Sequence, residues 1–543
     1  MKYVELYDRM HPLSQASFFS FIYKFKQKSG NIMNKKTNHK AAKAWKVVSW
    51  ILLALLVTAE GLLLFQIYKL NMLPLKYFVP MIVVTLLIDI PIAIMMFPRT
   101  GRWQKPQGNG KRITAYVLAV LISAGCLFGW RMVAKGHQTI NEITTAPTVA
   151  ARVGVYVLAT DKAEKIEDAA SYPFAITGLL DRENTEAAIG GMETQLGGKL
   201  NVQEYKTLDE MAEALYSGKA KAMILNVAYA GIYNDNEKYS DFHDKTKLIY
   251  TYDVMKVEKP TEPTAAPTVH PDQPTEPTKG VTEQPFTVYL SGSDTRSTTL
   301  TNSVSRSDVN IIAVVNPATK QILLVNTPRD YYVKNPAYGF LDKLTHCGLD
   351  GMENSMEALS GLYGVDIDYN AQINFTGFEK LIDAIGGIDI YSEKGDGVHL
   401  STGNTHMNGA QALEFARDRY SYADGDHARG RHQMQVITAV VEKLSSSKVI
   451  TNYSQILDTL QGMFVTSIPG NTISELIKMQ LADMASWDIH SYAVTGTGGT
   501  DQTLNGRAYV MYPDKTTVDR ASKLMEKVIS GEKVTDEDVA PAA

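Results

Sequence analysis

Three apolar stretches, Val47–Tyr68, Tyr77–Phe97 and Ile113–Val133, constrain this chain more than any other feature. Each is close to the roughly 20 residues that a helix needs to cross a bilayer core. A signal peptide would be a single shorter run before a small-residue cleavage site, so the three are read as retained spans. Eight lysines lie between Lys24 and Lys46, and Arg99, Arg102, Lys105, Lys111 and Arg112 crowd the second connection. The first connection has only Lys69 and Lys76. Basic loops stay in the cytoplasm, which puts the N-terminus and second connection there and everything after about residue 135 outside the cell. Glu60 and Asp89 fall inside the first two spans. Two acids and three spans are few parts for a transporter, so a hydrogen-bonded pair holding a helix bundle is favoured over an ion pathway.

At 543 residues the chain exceeds one ordinary core. Its net charge of −4 argues against a nucleic-acid binder, which needs a basic surface. Cys126 and Cys347 are too few and too dissimilar in setting for a disulfide framework or a zinc site. Short β-rich runs at 153–158, 200–205 and 222–227 alternate with helical patterns at 186–196 and 208–216, which predicts a small α/β domain with a largely parallel sheet. Pro recurs every few residues from Lys259 to Pro285 with almost nothing large and apolar, the composition of an extended linker. Alternation resumes at Phe286. Strands are expected near 286–290, 309–315, 322–326, 371–375 and 388–391, with helices over 352–363, 378–385 and 429–444. The expected order is a cytoplasmic segment (1–46), a three-helix membrane region (47–134), a small α/β accessory domain (150–258), a linker (259–285), a three-layer α/β/α domain (286–515), and a C-terminal helix and tail (516–543).

Charged residues collect at the strand ends of the larger domain. Gly292-Ser-Asp294-Thr-Arg296 follows one strand, Arg306-Ser-Asp308 precedes the next, Thr327-Pro-Arg329-Asp330 closes a third, and Asp342-Lys343 comes soon after. Arg417-Asp-Arg419 and Arg429 to Gln433 lie further on. Ligands of open α/β sheets bind beyond strand carboxyl ends. Arginine forks suit phosphate oxygens, and carboxylates suit a hard divalent cation. Arg429 and Gln433 share a helix face, being four apart. Arg417 and Arg419, two apart, reach one ligand only from extended or terminal backbone. The competing reading, solvated surface ion pairs, holds for any one of these residues more easily than for the whole set. His427 and His432, with no nucleophile elbow nearby, read as exposed helix histidines.

This series of motifs, continued by Asn374-Phe-Thr-Gly-Phe378, Ile385-Gly-Gly-Ile-Asp389 and Ala416-Arg-Asp-Arg419, resembles the LytR-CpsA-Psr family from about Phe286 to Leu444. The three spans and intervening small domain resemble its capsule-attachment branch. The resemblance implies a phosphotransferase that moves a glycopolymer from a polyprenyl pyrophosphate carrier to the 6-hydroxyl of N-acetylmuramic acid in peptidoglycan. It matches the metal-handling acids to Asp294 and Asp308, with Mg²⁺ or Mn²⁺ as cofactor. It matches the pyrophosphate-binding groups to Arg329, Lys343, Arg417, Arg419, Arg429 and Gln433. The catalytic set so implied is Asp294, Asp308, Arg329, Arg417 and Arg419. The implied partners are the lipid-linked glycan, peptidoglycan, membrane lipid and other envelope polysaccharide assembly proteins, with no nucleic acid. An apolar tunnel for the lipid is also implied. The family's helix carries Arg-Gln where this chain has His432-Gln433, so no ligand role passes to Arg431. A protein that binds the lipid-linked glycan without turnover, and a pyrophosphatase acting on the same lipid, are the competing functions.

The topology gives a direct expectation. A reporter enzyme fused after Ala543 should be active only outside the cell, and one inserted near Gly108 only inside; the opposite pattern would remove the envelope assignment.

Overall fold

The computed structural model describes residues 43–97, 109–144, 148–235, 238–257, 280–293, 305–423, 425–446, 456, 459, 461–501 and 508–540. The lysines before Lys43, the cations Arg99, Arg102 and Lys105, residues 259–279 of the linker, and Asp294 with Arg296 lie outside the described residues. Contacts divide the chain into two units, Met1–Ala134 and Lys135–Ala543.

In the first unit, α1 (Lys43–Leu70), α2 (Leu75–Met96) and α3 (Asn109–Thr144, which runs on past the unit) are long and apolar enough to cross a membrane. Leu56, Ile92, Met96, Ala115 and Ala119 form their shared contact, and much of the remaining apolar surface is exposed, as suits lipid rather than water. The Ser49 hydroxyl donates to the Met96 carbonyl at 3.1 Å, and the Tyr116 hydroxyl to the Trp45 carbonyl at 3.0 Å. Glu60 is buried and hydrogen-bonded to Asp89, the arrangement favoured from sequence.

The second unit opens with a five-stranded sheet in the order β3 (Asn201–Tyr205), β2 (Pro173–Thr177), β4 (Ala222–Asn226), β1 (Thr148–Leu158), β5 (Thr246–Val257). Only β2 pairs in parallel, with β3 and β4; β1 runs antiparallel to both β4 and β5. The sheet is therefore mixed rather than largely parallel. The sequence reading missed β2 and β5, and the long return strand β5 (12 residues) is half of the antiparallel part. Helices α4 (Arg182–Leu196) and α5 (Leu208–Tyr216) pack on opposite faces.

The larger domain is built on a six-stranded sheet in the order β14 (Phe464–Thr466), β11 (Tyr369–Asn374), β6 (Phe286–Ser293), β7 (Ser307–Asn316), β8 (Gln321–Asn326), β15 (Asp488–Ala493), with β9 (Tyr332–Lys334) and β10 (Leu341–Lys343) paired separately and α10 (Gly470–Asp483) between β14 and β15 in sequence. The side-chain alternation of a strand explains its three layers. On β7, Ile312 and Val314 join the core beneath α6 (Met352–Tyr363) and α11 (Lys515–Ile529), while Ile311 and Ala313 face Met434 on the other side. Helix α6 ends where Gly364 takes the left-handed conformation at φ 69°. A separate cluster joins α7 (Phe375–Ala384), the β12–β13 hairpin (Ile388–Ser392 and Gly403–Met407), α8 (Gly409–Arg417) and α9 (Asp426–Leu444). Helix α7 starts three residues before its apolar pattern suggested, because the Asn374 side chain accepts from the Gly377 N–H at 2.8 Å and caps it. Cys347 is a packing residue in the core, and Cys126 is half-buried.

Leu323 is fully buried in the core under α11. Leu323→Ala should cost about 2–5 kcal/mol of stability. Tyr391→Ala, at a residue 66% exposed, should stay within about 0.5 kcal/mol. Denaturant unfolding of the detergent-solubilised chain measures both, and equal effects would contradict this placement of the core.

Candidate functional site

The middle strands and the helix layer over them leave a gap at one end. Strand β6 closes on β7 so tightly at Gly292 that a Cβ there would meet the Val309 side chain at 2.6 Å, and the register shifts between Gly292 and Ser293. This irregularity opens the sheet beside Asp308, where a cavity of about 520 Å³ runs between β6, β11, α7, α8 and α9.

The cavity has two chemistries. Its polar wall has Asp308, Arg329, Arg417, Arg419, Tyr420, Asn374, Arg429 and Gln433. Its apolar wall is built from Leu290, Ile373, Phe375, Phe378, Leu381, Leu413, Val436, Ile437, Val440, Leu444 and Phe464. The helix stripe read from sequence on α9 thus serves two purposes: Val436, Ile437 and Val440 line the apolar wall, and Val441 packs toward the sheet.

An Arg329 Nη1 donates to Asp308 Oδ1 at 2.7 Å. Its Nε lies 3.7 Å from Asp330 Oδ2, and Lys343 Nζ lies 3.5 Å from the other oxygen of Asp330. The result is a chain of alternating charges, Asp308–Arg329–Asp330–Lys343. Lys343 is buried behind Arg329, off the wall of the cavity, whereas the other described members of the sequence set open onto it. Asp294 lies outside the described residues.

Arg417 is the last residue of α8, and Asp418 after it is extended (φ −69°, ψ 122°). Backbone of this kind sends alternate side chains to opposite sides. Arg417 and Arg419 both reach the cavity, while Asp418 turns away to His399 Nε2 at 3.0 Å and to the N–H groups of Tyr420 and Ser421. The Asp418 carboxyl is held well below the ordinary range, first by its bond from Ser421 and then, against the cost of burial, by His399. The Arg417 guanidinium lies over the Phe375 ring at 4.4 Å, a cation–π contact that orients it. Arg419 stacks on Tyr420 at 4.8 Å and donates to its hydroxyl at 2.6 Å. Gln433 Nε2 donates to the Ala416 carbonyl at 3.3 Å, tying α9 to the end of α8.

One expectation is corrected here. His432 is buried, 5% exposed, and stacks on Phe415 at 4.1 Å with Nδ1 3.2 Å from the Phe415 carbonyl. Burial pushes its imidazolium form out of the ordinary range, so its pKa falls. It faces α8 because Gln433 and Arg429, on the neighbouring face, must face the cavity. Arg431 points outward and is exposed. Sequence reasoning also passed over Phe375 and Tyr420. Phe375 lay within a quoted motif but carried no charge, and Tyr420 had no signal beyond its place after Arg419.

A second loop backs the two arginines. Asp396 accepts from the N–H groups of Val398, His399 and Leu400 at 2.7–2.8 Å and from the Tyr422 hydroxyl at 2.6 Å. Burial opposes its ionisation, but these four donors prevail and hold its pKa to about 2.

The profile of the LytR_cpsA_psr family matches residues 251–527. A polyisoprenyl-teichoic acid–peptidoglycan teichoic acid transferase TagU of Enterococcus faecalis is 34% identical over 190 residues, covering 34% of this chain and 62%, less than two thirds, of that protein. The protein of the same name in Bacillus cereus is 30% identical over 245 residues, covering 44% of this chain and 78% of its own length. The solved structure of TagT bound to LI-WTA shares 23% identity at a TM-score of 0.38, covering 48% of this chain and 94% of that one.

The Asp396 carboxyl is depressed in the folded chain, so its stabilising effect is complete above the ordinary carboxylate range, near about 4, and is lost as pH falls through about 2. Between pH 4 and pH 2 the wild type should therefore lose more thermal stability than Asp396→Asn. Parallel melting curves across that window would show that the loop is held by something else.

Proposed function

The chain belongs to the LytR_cpsA_psr family, and from that premise we propose that it transfers a glycopolymer from a polyprenyl pyrophosphate carrier to peptidoglycan at the outer face of the membrane. The observation that carries this reading is the continuity of the cavity, which joins four arginines to an apolar barrel in one space of about 520 Å³. A lipid pyrophosphate has the same two-part character: anionic oxygens next to a hydrocarbon chain. Neither half of the cavity alone selects for it.

On this reading, the pyrophosphate lies among Arg329, Arg417, Arg419 and Arg429, with Gln433 as a neutral donor on the same helix face and Lys343 supporting Arg329 from behind. The first isoprene units lie against Phe375, Phe378 and Val436. An acceptor hydroxyl, the 6-hydroxyl of N-acetylmuramic acid, attacks the phosphorus that bears the glycan. The new O–P bond makes a phosphodiester, the bond to the bridging oxygen breaks, and polyprenyl phosphate leaves. Phosphoryl transfer depends mainly on positioning and on stabilising spread charge. The arginine forks do both, since each offers planar donors to oxygens that gain charge.

Asp308 places a carboxylate on the cavity wall, the donor type that Mg²⁺ or Mn²⁺ takes alongside substrate phosphates. Among the described residues no group of three or more His, Cys, Asp or Glu is placed to hold a metal. Asp308, with Asp294, would hold it. Such an ion supplies neutralisation of phosphate charge.

Glycan transfer from a lipid-linked donor to peptidoglycan fragments, followed by mass analysis, tests the reading together with lipid-pyrophosphate affinity. Asp308→Ala should abolish transfer with the fold intact. Replacement of Arg417 or Arg419 by Ala should weaken lipid binding by roughly ten- to a hundredfold, the effect of losing about 1.5–3 kcal/mol of charged hydrogen bonding. Arg417→Lys should recover only part, because an ammonium lacks the fork. Transfer that survives Asp308→Ala and Arg417→Lys would defeat the mechanism, and binding with no transfer by the wild type would mark a lipid-glycan binding protein instead.

A further inference from the structure

The accessory domain does not merely precede the larger domain; it shares a buried joint with it. Leu349 of the larger domain is 3% exposed and belongs to the accessory core, among Leu208, Tyr229 and Ile232. Beside it, the Tyr229 hydroxyl donates to Asp350 Oδ1 at 2.8 Å. Tyr338 donates to the same oxygen at 2.5 Å and accepts from the Asp181 N–H at 3.1 Å, and the two phenol oxygens are 3.0 Å apart. Burial raises the Asp350 carboxyl, and the two phenols pull it back. The cavity at this joint is only about 10 Å³, the size of one water, so it is no ligand site.

The far side of the same segment is bound to the cation cluster. Thr345 donates its N–H to the Arg329 carbonyl at 2.9 Å, and Leu344 to the Tyr331 carbonyl at 2.8 Å. Asp342 pairs with His346 at 2.7 Å and receives the Lys343 N–H at 2.8 Å. Asn354 spans the segment, donating to Asn335 Oδ1 and the Cys347 carbonyl, each at 3.0 Å. Gly348 presses on the strand that leads to Asp308: a Cβ there would lie 2.9 Å from the Ser305 carbonyl oxygen and 3.2 Å from the Ser307 nitrogen. A Cβ on Gly231 of the accessory domain would lie 3.9 Å from the guanidinium of Arg306, two residues before Asp308.

We propose that the accessory domain is a positioning unit for the oxyanion site, with Tyr229 holding residues 338–350 so that Arg329 and Lys343 keep their places beside Asp308. Tyr229 is a positioning residue; it touches none of the reacting atoms. This rests on the oxyanion-site reading above. Between the Tyr229 hydroxyl and the Arg329 main chain stand only Asp350, the short segment 345–349 and one backbone hydrogen bond. Loss of the hydroxyl leaves Tyr338 as the remaining phenol donor to Asp350 Oδ1 and removes the bond that ties this carboxylate to the accessory domain, so the segment relaxes toward another donor.

The test uses the full chain in detergent, with geranylgeranyl pyrophosphate as the binding probe and four proteins in a double-mutant cycle: wild type, Tyr229→Phe, Arg329→Ala and the pair. Arg417→Ala serves as the control for the site itself. Tyr229→Phe should weaken probe affinity about three- to tenfold in the wild-type background and have no further effect once Arg329 is Ala. An equal loss in both backgrounds would mean general destabilisation, and no loss in either would mean that the joint is passive; both overturn the proposal. If Arg417→Ala and Arg329→Ala both leave affinity unchanged, the oxyanion-site reading fails first, and the proposal with it. Should Tyr229→Phe fail to fold, Tyr338→Phe, which removes the second phenol from Asp350, takes its place in the same cycle.

Discussion

Four arginines that open onto one cavity repel each other, and the apolar wall opposite them weakens the solvent screening that would relieve the strain. Two unit charges 4 Å apart interact by about 4 kcal/mol in surroundings of intermediate polarity. The larger domain can be read as the set of contacts that makes this arrangement tolerable. Asp308 and Asp330 alternate with Arg329 and Lys343, so no two cations in that line are adjacent. Arg417 rests on the face of Phe375 and Arg419 on Tyr420, where the ring electrons offset part of the charge. Remove an anionic ligand and the cluster remains held; supply one, and the residual repulsion becomes attraction.

Much of this was legible in the chain itself, for reasons that differ by element. The spans were visible because no soluble core needs three such runs, though α3 extends well beyond its apolar stretch, into residues whose polarity gave no reason to end or continue a helix. Helix α6 was read to the residue, since Gly364 ends it by conformation rather than by pattern. Spacing alone required extended or terminal backbone if Arg417 and Arg419 were to reach one ligand, and the extended Asp418 supplies that backbone. What spacing does not carry is which neighbour a side chain meets from distant sequence. His432 looked like a surface residue because its surroundings in sequence are charged; its burial comes from Phe415, seventeen residues away. Lys343 reads like any other cation in a motif, yet a second layer of acid separates it from the cavity. Strands β2 and β5 went unread because β2 is only five residues long and β5 mixes exposed and buried positions without clean alternation.

The accessory domain shows how a fold adds control without adding chemistry. Its contact with the larger domain includes one leucine, two phenols and a carboxylate around a void the size of a water. Such a joint is small, but it sits where backbone hydrogen bonds, rather than flexible side chains, carry displacement to Arg329. Short main-chain paths transmit position better than long side chains do, because they have fewer rotatable bonds.

The extended residue between Arg417 and Arg419 has a consequence for which changes this site tolerates. Two side chains share a face there only because one residue separates them, so what must be inherited is a parity. Substituting Asp418 would loosen the turn and leave both arginines facing inward, whereas inserting or deleting a single residue would send one of them to the opposite side. The number of residues at this point therefore sets the direction of both side chains, whereas Asp418 sets how firmly the turn beneath them is held.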